Sequence, residues 1–127
     1  MERIIFKEIN GKKYPMAMTL AALEYINREK GGIQGFGEML GGLENITATL
    51  DVSLVLIRQG IAKYKYERGD VVDEDICLEA PSREELELTL DVDDLADLSN
   101  AIVDCIKVSR KNAIAGKPAK GSKKNQA

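Results

Sequence analysis

The chain has 127 residues, 44% hydrophobic and 31% charged, with no histidine, no tryptophan and two phenylalanines. That is enough for one domain with a modest core, and the shortage of aromatic residues makes that core aliphatic. Without histidine the commonest general base and the commonest zinc ligand are both missing.

Charge is divided unevenly. The first 106 residues carry 21 acidic and 11 basic side chains, a balance of −10, whereas Lys107 onward holds seven basic residues and no acidic one. An acidic body repels phosphate, so nucleic acid is not expected as a partner of the fold. The basic end reads as a solvated tail. Cys77 and Cys105 stand alone in apolar settings, with no disulfide framework around them, and read as free thiols in a reducing compartment. MERIIFKEIN lacks the charged-then-apolar pattern of a signal segment, so secretion is not indicated.

Taken in order, Arg3 to Ile9 is rich in β-branched residues and runs into Asn10-Gly11. That dipeptide predicts a two-residue hairpin turn, because both its residues tolerate positive φ. Lys12 to Met18 then returns as a second strand with Tyr14, Met16 and Met18 on one face. Pro15 has no N–H to give a ladder, so this strand is expected at an edge. Thr19 is placed to cap a helix carrying Leu20, Leu23 and Ile26, which Gly31-Gly32 stops. Between glycines, Phe36, Met39, Leu40 and Leu43 predict a short helix on mobile joints. These glycines lack the GK[ST] ending of a phosphate loop and do not follow a buried strand.

Asn45 to Arg68 is the organising stretch. Ile46, Leu50, Leu54, Ile57, Ile61 and Tyr64 recur at helical spacing, and Val52, Val55 and Leu56 widen their face until the middle is apolar almost all round. Such a helix is normally covered on every side. Asp51 and Arg58 bracket its apolar centre, far short of the ~20 residues that a bilayer requires. Gly60 marks either a close crossing or a break into two helices. Gly69 ends the helix, and the acidic run from Asp70 to Pro81 reads as loop or short extended chain. Asp73-Glu74-Asp75 lacks the ligand ladder and glycine of a calcium loop.

Ser82 and Glu85 fit a capping box ahead of a helix with Leu86 and Leu90. Asp91 or Asp93 opens the last helix, whose stripe is Leu95, Leu98, Ile102, Cys105 and Ile106. Acids at its start and Lys107, Arg110 and Lys111 towards its end suit the helix dipole. The expected organisation is a mainly α domain over residues 1–114 with an N-terminal β-hairpin, followed by a disordered basic tail over 115–127. There is no internal repeat.

No catalytic constellation emerges. No serine sits in a GxSxG setting, and carboxylates such as Glu84 and Glu87 belong to solvated helix faces. No catalytic, metal-binding or cofactor-binding residue is assigned, no cofactor is expected, and the expectation is a binding protein rather than an enzyme. The glycine-bounded segment, with Ile33, Phe36, Met39, Leu40 and Leu43, is the candidate partner-binding surface. The open edge of the hairpin offers a second contact, by strand addition between copies.

The order of parts carries a resemblance. It runs from the hairpin NGKKYPMAMT through the helix TLAALEYINREKGG, a short glycine-bounded helix and a long apolar helix ending YERG, to a last helix with DLADLSNAIVDCI. This resembles the tail assembly chaperones of long-tailed bacteriophages and prophages of low-GC Gram-positive bacteria, over most of Ile5 to Ile106 and most sharply at Asn10 to Glu24. The resemblance implies a mostly helical protein of the host cytoplasm that binds the tape-measure protein, keeps that long apolar helical chain soluble while the tail tube grows, and is absent from the mature virion. It also implies a frameshifted longer product that recruits tube subunits; Lys123-Lys124-Asn125 is compatible with a slippery adenine run. The rival readings are a structural component retained in the virion, such as a head–tail connector or tail component, a small regulator holding nucleic acid by its tail, and an enzyme.

Overall fold

Strands β1 (Ile5–Ile9) and β2 (Lys12–Met16) form an antiparallel hairpin in a computed structural model. The structure describes residues 3–40 and 45–115, with side chains except those of Met39 and residues 111–115. Asn10 and Gly11 have φ of 52° and 80°, the left-handed pair that a type I′ turn requires. Ile9 pairs with Lys12, Lys7 with Tyr14 and Ile5 with Met16. Counting from the two-residue turn, Pro15 falls opposite Phe6 at a position that exchanges no backbone hydrogen bonds with β1. The ladder therefore loses nothing to the proline.

The outer side of β2 is partly covered. Ile76 forms a parallel bridge with Lys13, and the Cys77 N–H donates to the Lys13 carbonyl at 2.8 Å. Lys13 Nζ meets Asp75 at 3.1 Å. The acidic connection is thus tacked to the hairpin, an attachment the sequence pattern did not reveal.

Five helices follow among the described residues: α1 (Leu20–Glu29), α2 (Ile33–Met39), α3 (Ile46–Arg68), α4 (Arg83–Thr89) and α5 (Val92–Ala115). Each predicted cap is found. The Thr19 hydroxyl accepts from the Ala22 N–H at 3.2 Å and donates to Gln59 of α3. Ser82 accepts from the Glu85 N–H at 3.0 Å. Asp91, rather than Asp93, opens α5: its carboxylate accepts from the Asp94 N–H at 2.9 Å, and Asp94 accepts from the Asp91 N–H at 3.0 Å. Gly69, with φ of 60°, closes α3. α5 runs on to Ala115, so Lys107, Arg110 and Lys111 sit before its last turn, not at its end, and the dipole argument does not apply to them. The predicted tail begins at Ala115, which is instead the last residue of α5; from Gly116 on, that stretch lies outside the described residues.

Helix α3 is the core. Val52, Leu56 and Ile57 are fully buried, with Leu50, Leu54 and Tyr64 nearly so. It packs on β2, α1, α4 and α5, which accounts for its nearly all-round apolar sequence. It is continuous through Gly60. That glycine marks a close crossing, and the partner is strand β2 rather than another helix. Beside it the Ala17 N–H donates to the Leu56 carbonyl at 3.1 Å, so the chain just past β2 hydrogen-bonds directly to the helix backbone. Tyr64 meets Phe6 edge-on at 6.2 Å, and the Arg68 guanidinium lies 4.5 Å from the Tyr64 ring centre.

An ion-pair knot joins three helices. Asp51 of α3 pairs with Lys30 at the end of α1 at 2.9 Å and with Arg83 of α4, which also meets Glu87 at 3.1 Å. Cys77 and Cys105 are free thiols. Among the described residues no helix is long and apolar enough to cross a membrane.

Candidate partner-binding surfaces

The glycine-bounded helix forms, but its central side chain faces inward. Gly31 and Gly32 have φ of 78° and 101°, and the N–H groups of Lys30 and Gly32 both return to the Ile26 carbonyl, at 2.9 and 3.2 Å. This double return folds α2 back against α1. Phe36 is then fully buried in the main core. In this conformation Phe36 presents no surface to a partner, and neither does the fully buried Met16 of β2.

The other predicted contacts are dispersed. Ile33 and Leu40 are half-buried and pack on the core. The side chain of Met39 and the whole of Leu43 lie outside the described residues. Ile33 does reach a surface cleft of about 280 Å³, which it lines with Met18, Leu23, Ile106, Ser109 and Arg110. A neighbouring cleft of about 390 Å³ shares Met18, Leu23 and Ser109 and adds Arg3, Thr19, Leu20 and Lys63. This side of the molecule is apolar at its base and basic at its border.

A second apolar depression, of about 360 Å³, lies where the first turn of α3 meets α4 and the start of α5. Leu50, Leu86 and Leu95 are buried and form its floor; Ile46 and Val92 stand on its rim, 44% and 62% exposed. Glu87 and Asp91 border it, and no basic residue lines it among the described residues. The Asp91 carboxyl is held below its ordinary range, first by the Asp94 N–H it accepts from, so it stays charged at neutral pH. The spacing of Leu86 and Leu90 marks a short helix in the sequence, but that both face a groove depends on how the extended joint at Leu90 sets α4 against α5, which periodicity does not report.

Protein-family models, curated proteins and solved structures were all compared with the chain, and none matches.

Proposed function

We propose that this protein is a tail assembly chaperone of a long-tailed bacteriophage or prophage of Gram-positive bacteria. It binds the tape-measure protein in the host cytoplasm, keeps it soluble while the tail tube assembles, and is not retained in the virion. The observation that carries this reading is the open apolar groove over Leu50, Leu86 and Leu95 on an otherwise acidic body. A chaperone for a long apolar helix needs accessible apolar surface together with enough charge to stay dispersed. The order of hairpin, helix, short glycine-bounded helix, long central helix and last helix supports it, as does the resemblance over Ile5 to Ile106.

The test is co-expression with a tape-measure protein, a long, largely helical candidate to be sought among the neighbouring genes. The expected result is that this client is insoluble alone, soluble in the mixture, and co-purifies with the chain. Purified particles are expected to lack the chain. Recovery of the chain from particles, with no effect on client solubility, would replace the chaperone with a structural component of the tail or head–tail connector.

A further inference from the structure

The two apolar surfaces carry opposite charge at their borders, and that contrast specifies an occupant. The groove between α3, α4 and α5 is bordered by Glu87 and Asp91, with the exposed Glu84 and Asp93 beyond them on the same two helices. Arg83, on the same helix as Glu87, is engaged by Asp51 and by Glu87 itself. The clefts around Met18 and Leu23 are bordered instead by Arg3, Arg110 and Lys63, the last paired with Glu67 at 2.8 Å. A partner that combines an apolar stripe with positive flanks therefore has a complementary site at the first surface and a repulsive one at the second.

Shape narrows the partner further. The groove floor is a row of aliphatic side chains from three helices, with a volume of about 360 Å³, within the roughly 300–1,000 Å³ of ordinary binding clefts. A helix laid in such a groove inserts side chains at i, i+3, i+4 and i+7. Residues 116–127 of the chain cannot supply them, since they hold nothing apolar larger than alanine and proline.

We propose that the groove formed by Ile46, Leu50, Leu86, Leu90, Val92 and Leu95 receives an amphipathic helix of a partner protein whose leucine-type stripe is flanked by lysine or arginine. Val92 and Ile46 grip the sides of the stripe, and Glu87 and Asp91 meet the flanking cations. This rests on the chaperone reading only for the partner's identity; the site itself follows from the groove and its border.

The experiment titrates the full-length protein with two synthetic 18-residue helical peptides that share one leucine stripe, one flanked by lysine and the other by glutamate. Binding is read by fluorescence anisotropy and by amide shifts of the labelled protein. The lysine-flanked peptide is expected to bind at least tenfold more tightly, to weaken as salt is raised, and to move the amides of Ile46, Leu86, Leu90 and Val92 most. Val92→Lys and Ile46→Lys, both at exposed rim positions, should each weaken it tenfold or more with unchanged melting temperature. Equal binding of the two peptides, shifts centred on Met18 and Leu23, indifference to the rim substitutions, or occupation of the groove by a second copy of the chain would each overturn the proposal. The same variants in the co-expression assay separate the two readings: a client held equally well by Val92→Lys sinks the groove and leaves the chaperone standing, whereas a client ignored by the unaltered protein sinks the chaperone whatever the peptides do.

Discussion

Gly60 and Pro15 meet without room for a side chain between them: a β-carbon built on Gly60 would lie 2.3 Å from the Pro15 carbonyl oxygen and 2.6 Å from the Met16 α-carbon. Both obstacles are backbone, so neither can rotate away. The hairpin lies flat on the central helix because one residue of that helix lacks a β-carbon.

Gly60→Ala is therefore expected to destabilise the protein by about 2 kcal/mol. Alanine gains about 1 kcal/mol of helix propensity over glycine at an interior site, but overpacking against fixed backbone costs more than it returns. Urea denaturation gives the sign directly. A stabilised variant would mean that helix preference outweighs the crossing and that strand β2 can lift off α3.

How the glycine reads depends on what the sequence can express. A helical period reports which side chains point the same way, so the buried face of α3 and the stripe of α5 were legible from Leu50, Ile57, Leu98 and Ile102. Caps and turns were legible because Thr19, Ser82 and Asn10-Gly11 act through atoms only a few residues away. The partner of Gly60 was not, because a missing side chain does not say what approaches it. The bridge from Ile76 to Lys13 was hidden for the same reason: it joins segments more than 60 residues apart in a stretch with no periodicity. At Phe36, apolar character between glycines fits an exposed contact and a core plug equally well, and in this conformation the ring is a core plug.

Phe36→Ser is accordingly expected to cost about 3–5 kcal/mol of stability, the range for deleting a buried aromatic ring, rather than to weaken partner binding in an intact fold. Leu40→Ser, at a half-buried position, should cost clearly less. Thermal melts of the two variants check this ordering. If Phe36→Ser melts like the unaltered protein, α2 is detached from the core in solution and its residues return as a candidate contact surface.

Asp51 is the shared anion of the knot between α1, α3 and α4. Removing it leaves Lys30, whose side chain is 15% exposed, without its partner at 2.9 Å. Asp51→Ala should destabilise by about 1–3 kcal/mol, between the values for exposed and fully buried pairs. Arg83→Ala should cost less, since Lys30 still neutralises Asp51. A double-mutant cycle on Asp51 and Lys30 measures the coupling; a coupling near zero would assign the cost to packing instead.

Alkaline pH acts on two buried acids at once. Burial, and then the neighbouring Cys77 and Glu85 charges, push the Tyr14 hydroxyl from 10.0 up to about 12. Burial, and then the Asp104 carboxylate, push the Cys105 thiol from 9.0 up to about 12. Each is neutral when protonated, so the folded state holds its proton to a higher pH than the unfolded chain does. The contribution to stability is complete below the unfolded values and is lost as pH rises from about 9 towards 12. Urea midpoints should stay level up to pH 9 and then fall. Tyr14→Phe keeps the ring and removes the ionising group, so its fall between pH 10 and 12 should be shallower than that of the unaltered protein. Parallel curves for the two proteins across that interval would show that Tyr14 ionises as easily folded as unfolded, and would place the alkaline loss on Cys105.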